Sequence, residues 1–442
     1  MKKTLTLILL LLCCTIHLSA QISEDYEIFF TDENGHQDVM ELPESMMMSE
    51  LDSMLALYHS KTYLITDEAC ESTGENPYYS DDVYAERLSR MPTAIDMPYN
   101  TIVRQFIDRY CTRLRRSVSV MLGTSNFYMP IFEQALEAYN VPMELKYLPV
   151  IESALNPKAV SRVGATGLWQ FMLATGKQYG LRVNSLVDDR RDPIRASYAA
   201  ARLLRDLFRI FGDWTLAIAA YNCGPANVNK AIRRSGGQRD FWKIYPYLPA
   251  ETRGYVPAFI AANYVMTYYC EHNICPMLTN LPERTDTIIV DRNISLSTIS
   301  KFCDINIELL RELNPQYRRD LVNGSTEPST IRMTIPSMNK FLELQDSIFA
   351  YDAAHVGGKH AYTAVEDKGS SRESTSRRSS ESRSSASRSS RRSSSATTAT
   401  AAATSSSSSR YGRSSRSASF NQRTTASSNS NSSGKRRSGR RG

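Results

Sequence analysis

The stretch of this sequence best equipped for chemistry is 142–157, Pro-Met-Glu-Leu-Lys-Tyr-Leu-Pro-Val-Ile-Glu-Ser-Ala-Leu-Asn-Pro. On a helix, Leu145, Leu148 and Glu152 share one face. A carboxylate on an apolar stripe loses hydration, which favours its neutral, proton-bearing form near pH 7. A carboxyl of that kind can protonate a leaving oxygen, which is what cleavage of a glycosidic bond requires. The same residue could also close a helix and reach solvent, and spacing alone does not choose between the two.

Three further motifs follow Glu152. They are Gly164-Ala165-Thr166-Gly167-Leu168-Trp169-Gln170-Phe171-Met172, then Ala219-Ala220-Tyr221-Asn222-Cys223-Gly224-Pro225, then Glu251-Thr252-Arg253-Gly254-Tyr255-Val256-Pro257. With these four motifs in this order, the sequence resembles the family 1 lytic transglycosylases, soluble and membrane-bound, with their goose-type lysozyme-like (SLT) domain. It is most similar to the membrane-bound transglycosylase D group, which carries LysM-type modules after the catalytic domain. The resemblance covers roughly residues 96–275, about two fifths of the chain.

Residue by residue, the resemblance implies that Glu152 is the acid/base catalyst. It implies that Ser153 orients the bound sugar, that Gln170 lines the cleft, and that Phe171 and Met172 supply apolar walls for sugar faces. Tyr221 and Asn222 would hydrogen-bond the substrate or Glu152, and Tyr255 would position the catalytic carboxyl. Trp169 and Phe171 read equally well as core, and Tyr255 as a packing tyrosine. Cys223 departs from the Ala or Ser that relatives often carry after the Tyr-Asn pair, keeping a small side chain but adding an oxidisable thiol.

Ordinary glycosidases use two carboxyl groups, and none of the four motifs presents a second acid in a matching place. In the family resembled, the substrate supplies the nucleophile: the 6-hydroxyl of N-acetylmuramic acid attacks its own anomeric carbon and leaves a 1,6-anhydromuramyl end. An internal nucleophile has a large effective concentration. No metal or organic cofactor is implied. Two alternatives share the same residues: a goose-type lysozyme that uses water, and a catalytically silent peptidoglycan-binding scaffold.

These residues need elements to hold them. Ile102, Phe106, Tyr110 and Leu114 recur at helical intervals, and Phe132, Leu136 and Tyr139 continue the pattern. Asn140 and Val141 break it, and Pro142 can open a new helix. A long amphipathic stretch runs over 192–211, with Asp192 before Pro193 as its N-cap and 188–191 (Asp-Asp-Arg-Arg) as a structural turn. Strand-like alternation is scarce before residue 285, so this body reads as all-helical. After it, Thr287 to Val290 reads as a strand. Leu296, Ile299 and Phe302 then mark one helix, and Ile307, Leu310 and Leu313 a second. Residues 331–335 read as a closing strand stopped by Pro336. This unit resembles a degenerate LysM module through Leu313-Asn314-Pro315 and Ile335-Pro336. Its usual glycine-aspartate turn is replaced by Asn293-Ile294-Ser295, which leaves glycan binding and simple packing on the helical body both open.

Lys2 and Lys3 ahead of the greasy run at 5–14, then Leu18-Ser19-Ala20, give the order of a secretory signal peptide cleaved after Ala20. The run is too short for a comfortable membrane span, and Cys13 and Cys14 lack the small residue that lipid attachment favours just upstream. Net charge is +7 overall, yet residues 368–442 hold 17 basic and 2 acidic side chains while residues 21–95 hold 17 acidic and 3 basic. The basic character is therefore a property of the tail. Its Arg-Ser runs resemble nucleic-acid-binding segments, but an exported enzyme would seldom meet that partner, and an anionic envelope polymer, or a solvated spacer with no ligand, fits better. After Ala364 the chain is too poor in apolar residues to offset its ordering entropy. Six cysteines outlast the signal peptide, at irregular spacing that fixes no pairing, and the histidines do not cluster with them at zinc-ligand spacing.

The expectation is a mainly α protein. A signal peptide at 1–20 and an acidic extension at 21–95 precede a lysozyme-like catalytic domain at 96–280. A small α+β LysM-like domain at 285–345 and a Ser/Arg-rich disordered tail at 366–442 follow. It would be exported to the periplasm or cell envelope, with peptidoglycan glycan strands as its partner.

Overall fold

A computed structural model describes residues 27–31, 37–43, 46, 65–66, 70, 74–279, 281–282, 284–356 and 363–366. The signal-peptide reading and the disordered-tail reading beyond Glu366 lie outside the described residues. Two short strands, β1 (Glu27–Thr31) and β2 (Gln37–Glu41), pair antiparallel. The two-residue strand β3 (Ile65–Thr66) pairs with β4 (Met277–Leu278) at the far end of the body. Between them lie α1 (Asp81–Arg90), α2 (Thr101–Cys111), α3 (Arg115–Glu137), α4 (Leu148–Ser153) and α5 (Leu173–Gln178). The body continues with α6 (Pro193–Phe211), α7 (Trp214–Cys223), α8 (Pro225–Arg234), α9 (Phe241–Ile244) and α10 (Ala250–Thr267).

Local chemistry sets these ends. Asn100 Oδ1 accepts from the Val103 amide at 2.9 Å and starts α2. Asp192 Oδ1 accepts from the Ile194 and Arg195 amides and starts α6, where Pro193 costs no hydrogen bond. Gly212, at φ +68°, closes α6 in a left-handed turn open to glycine, and Asp213, the very next residue, caps α7.

The helices bury one continuous core. Phe106, Phe132, Trp169 and Phe259 are each 0% exposed. Trp169 meets Phe132 edge-on at 5.2 Å, and its indole N–H donates to Ser197 Oγ at 2.9 Å, so a large polar-tipped ring is buried without an orphaned donor. α10 is apolar on most of its circumference and is buried accordingly.

Part of the acidic extension belongs to this core. Tyr84 and Leu88 of α1 are buried in it, together with Met40, Leu42 and Met46. A Cβ at Gly254 would stand 2.9 Å from the Glu41 carbonyl oxygen, so the glycine is what lets the end of β2 lie against α10. A disulfide joins Cys70 to Cys275 and staples the extension to the end of the body. Cys111, Cys223, Cys270 and Cys303 are free thiols.

The second unit comprises β5 (Thr285–Val290), β6 (Asn293–Ser295), α11 (Leu296–Cys303), α12 (Ile307–Leu313), β7 (Leu321–Asn323), β8 (Ser329–Thr334), α13 (Ile335–Glu343) and α14 (Gln345–His355). β5 pairs antiparallel with β8, and β6 with β7. The strand–helix–helix–strand order is present, with two additions. The long stretch after Pro315 contains β7, and the unit runs on through α14. The reason for the second is Asp352. It is 2% exposed and accepts from the Ser295 amide, Ser295 Oγ and Thr298 Oγ1, tying the last helix to the start of α11. Pro336 does stop the strand, but by occupying the first turn of α13, where its missing N–H is harmless. The unit has its own core, including Leu296, Ile299, Leu310, Ile331 and Phe341, and Leu186 and Val187 from the loop before α6 are buried in that same core.

Candidate active site

Residues 143–147 form a tight 3₁₀ turn rather than the start of a long α-helix, and Pro149 sits in the first turn of α4. Leu145 and Leu148 are both fully buried. Immediately after α4, Ala154 and Leu155 take left-handed conformations at φ +48° and +62°. Such angles are costly for residues with a Cβ. The turn they make ends the helix one residue past Glu152 and leaves that carboxylate partly exposed in a cleft of about 180 Å³.

Three other motif segments line the cleft with Glu152. Gln170, Phe171 and Met172 come from the loop ahead of α5, Tyr221 and Asn222 from the last turn of α7, and Tyr255 from the second turn of α10. Tyr255, 2% exposed, donates its hydroxyl to Glu152 Oε1. Burial, and then the nearby Glu152 charge, push this phenol well above its ordinary pKa, so it remains a proton-bearing donor. Tyr221 is pushed the same way by the same two causes, and its hydroxyl donates to the Trp169 carbonyl at 2.7 Å. Tyr221 therefore feels the Glu152 charge while spending its own proton on the loop backbone.

The other lining groups are fixed by their neighbours. Asn222 Oδ1 accepts from Thr252 Oγ1 at 2.7 Å, which orients the amide. Gln170 stands at φ +45°, and its Nε2 donates to the Gly167 carbonyl at 2.8 Å. Gly167 can only be glycine here: a Cβ would fall 1.9 Å from the Arg190 carbonyl oxygen. Phe171 is 2% exposed and Met172 44%, so the first is core wall and the second an accessible apolar edge.

Two sequence expectations change. Ser153 does not line the cleft. It is 1% exposed, and its hydroxyl lies 3.1 Å from the Pro149 carbonyl and 3.0 Å from that of Leu168. The residue next to Glu152 on a helix points about 100° away from it, and here that direction is the core. The second change is a further carboxylate. Glu251, in the first turn of α10, lines the cleft and accepts from Asn222 Nδ2 at 3.4 Å. Its signal was present in the fourth motif, four residues ahead of Tyr255 and hence on the same face of the helix. Pro43, Ser161, Thr175 and Leu203 also line the cleft, and nothing in their local sequence marks them.

Among the described residues no group of three or more His, Cys, Asp or Glu side chains is arranged to hold a metal ion. No helix among them is long and apolar enough to cross a membrane.

Comparison with known proteins matches two parts of the chain. Residues 129–244 match the family described as "Transglycosylase SLT domain", a span that includes Glu152, Gln170, Tyr221 and Asn222 and stops short of Tyr255. Residues 284–346 match "Lytic transglycosylase MltD, LysM-like domain". The chain is 29% identical over 233 residues to "Membrane-bound lytic murein transglycosylase D" of Escherichia coli (strain K12), covering 52% of this chain and 51% of that protein. It is 33% identical over 124 residues to "Soluble lytic murein transglycosylase" of the same strain, covering 27% of this chain and 19% of that one. A phage protein, "Peptidoglycan transglycosylase gp16" of Escherichia phage T7, is 36% identical over 120 residues, covering 26% and 9%. These matches bear out the family resemblance read from the motifs. The chain spans about half the length of the first of these relatives.

Proposed function

We propose that this protein is a peptidoglycan lytic transglycosylase that cleaves the β-1,4 bond between N-acetylmuramic acid and N-acetylglucosamine. The observation that carries the reading is Glu152 itself, a carboxylate open to a cleft and held there by the hydroxyl of a buried tyrosine. In the forward step Glu152 gives its proton to the leaving glycosidic oxygen as the bond to the anomeric carbon breaks. The 6-hydroxyl oxygen of the same muramic acid then bonds to that carbon and returns a proton to Glu152. The products are a free N-acetylglucosamine 4-hydroxyl and a 1,6-anhydromuramyl end, with no water consumed and the enzyme restored. Tyr255 fixes the direction of the carboxyl, and positioned proton transfer of this kind is worth about 10²–10⁴-fold. Gln170, Asn222 and Met172 hold the glycan.

One observation favours a second reading, in which water replaces the muramic acid hydroxyl. Glu251 stands in the same cleft, and a hydrolase can use a second carboxylate to activate water. The SLT family match weighs for the transglycosylase. We further assign the enzyme to the periplasm or cell envelope, where its substrate lies. The excess of 17 basic over 2 acidic residues at 368–442 would hold it to an anionic envelope polymer.

Glu152→Gln tests the reading. The amide keeps shape and loses the transferable proton, so turnover of soluble glycan strands should fall by about 10³-fold or more with the melting temperature unchanged. Near-normal turnover by the folded variant would overturn the assignment.

A further inference from the structure

The LysM-like unit is bonded to the helical body at a place that leads to the cleft. Its backbone at 316–318 runs alongside the body's 186–188 loop. The Asp188 amide donates to the Gln316 carbonyl at 2.9 Å, the Arg318 amide donates to the Leu186 carbonyl at 2.8 Å, and Val187 bridges Tyr317. Side chains reinforce the join. Arg318 donates to the Asn184 carbonyl at 2.9 Å. Arg182 pairs with Glu327 of the unit at 3.0 Å and with the fully buried Asp189 at 2.8 Å.

The same loop reaches the cleft wall. Asp188, 2% exposed, takes both Nε and Nη2 of Arg190 at 2.9 Å, a two-pronged pair that fixes the guanidinium plane. The remaining arm, Nη1, donates to the carbonyls of Gly164 at 3.1 Å and Phe171 at 3.2 Å. Those two carbonyls bracket the loop that carries Gln170, and Phe171 itself lines the cleft. The Asp188–Arg190 and Arg190–Phe171 links are buried, while the Arg318–Asn184 and Arg182–Glu327 contacts lie nearer solvent. Without the LysM-like unit, the Asp188 amide, the Leu186 carbonyl and the apolar side chains of Leu186 and Val187 would lose their partners.

We propose that the LysM-like unit is a positioning element for the catalytic cleft, acting through the 184–188 loop and Arg190 on the 164–171 loop. This rests on the reading of the Glu152 cleft as the site of glycan cleavage. Arg190 is a positioning residue and touches no substrate. What the unit supplies is placement: small displacements of groups that hold a substrate lower the rate of the chemical step more than they weaken binding.

The test uses the full chain with two sets of substitutions. Arg190→Lys keeps the charge but loses the fork, and cannot hold Asp188 and two carbonyls together. The pair Arg318→Ala with Glu327→Gln loosens the join from the LysM-like side, at residues that do not line the cleft. Rate and half-saturation are measured on short soluble glycan strands, with melting temperature followed alongside. The expected result is a fall in kcat of roughly tenfold or more for Arg190→Lys and roughly threefold for the LysM-side pair, with KM little changed. Combined, they should lose no more than Arg190→Lys alone, because residues in one network do not act independently. Two merely destabilising changes would instead add. A LysM-side pair with unchanged kcat, or losses that add, would overturn the proposal. If Glu152→Gln is inactive while these variants match the parent, only the positioning role fails. If Glu152→Gln is active, the reading of the cleft fails with it.

Discussion

Two sets of carboxylates stand on either side of the 164–171 loop, and they are held in opposite ways. Glu152 keeps a face on the cleft and takes a hydrogen bond from a phenol that burial keeps neutral. Asp188 and Asp189 are 2% and 0% exposed and are locked to Arg190 and Arg182. Asp192 is spent on two backbone amides at the head of α6. All four are acids close in sequence, and residue type does not tell them apart. A carboxylate fixed to a guanidinium inside the protein is a strut, because moving its proton would break a paired charge. A carboxylate with access to solvent and a neutral donor can gain and lose a proton without dismantling its surroundings.

That contrast can be broken at either end. The largest effect after loss of Glu152 itself is expected from Tyr255→Phe, which removes the donor and keeps the ring. It should lower kcat on soluble glycan by roughly ten- to a hundredfold, within the range for a positioned group, and leave the melting temperature nearly unchanged. A variant with the parent's kcat would reduce Tyr255 to a packing residue. On the other side of the loop, Asp189→Ala should act on stability. Removing it leaves Arg182 with Glu327 alone and takes the Asp189 partner from Arg195, and should cost about 3 kcal/mol, read as a lower midpoint in denaturant. A midpoint within error of the parent would mean that the sealed carboxylates are not struts.

The smallest effect expected is a pH dependence that lies outside both sets. His272 is 0% exposed, held between Tyr264 and Asn76, and burial lowers its pKa from 6.5 to about 4. Above pH 6.5 the ring is neutral in folded and unfolded chains alike and contributes no slope. Between 6.5 and about 4 only the unfolded chain takes up the proton, so stability should decline as pH falls through that window. Melting curves from pH 7.5 to 4.5 on the parent and on His272→Gln check this. The variant, though less stable throughout, should lose that part of the decline.

Much of this was legible in the residues. Asp192-Pro193 announced the start of α6, and the pattern of Ile307, Leu310 and Leu313 announced α12, because capping and periodicity are local. The ordered motifs located Glu152, Gln170, Tyr221, Asn222 and Tyr255, which the fold gathers at one cleft. What escaped was set by tertiary contact. Ser153 sits beside Glu152 in sequence, and only the packing of α4 against the Leu168 carbonyl shows that it faces inward. Pro43 reaches the cleft across the length of the acidic extension, and the Cys70–Cys275 link spans 205 residues. Neither has a local signature. The ties from 316–318 to the body are mostly backbone hydrogen bonds, to which any sequence is indifferent.

The central claim is that Glu152 serves a reaction in which the substrate, and not water, provides the attacking oxygen. It is tested most directly by digesting purified sacculi with the full-length protein in heavy-oxygen water and weighing the released muropeptides. The expected products carry anhydromuramyl ends, lighter by one water than hydrolysed ends and free of heavy oxygen. Reducing muramic acid ends carrying the heavy isotope would contradict it and make Glu251 the residue to examine as the base for water.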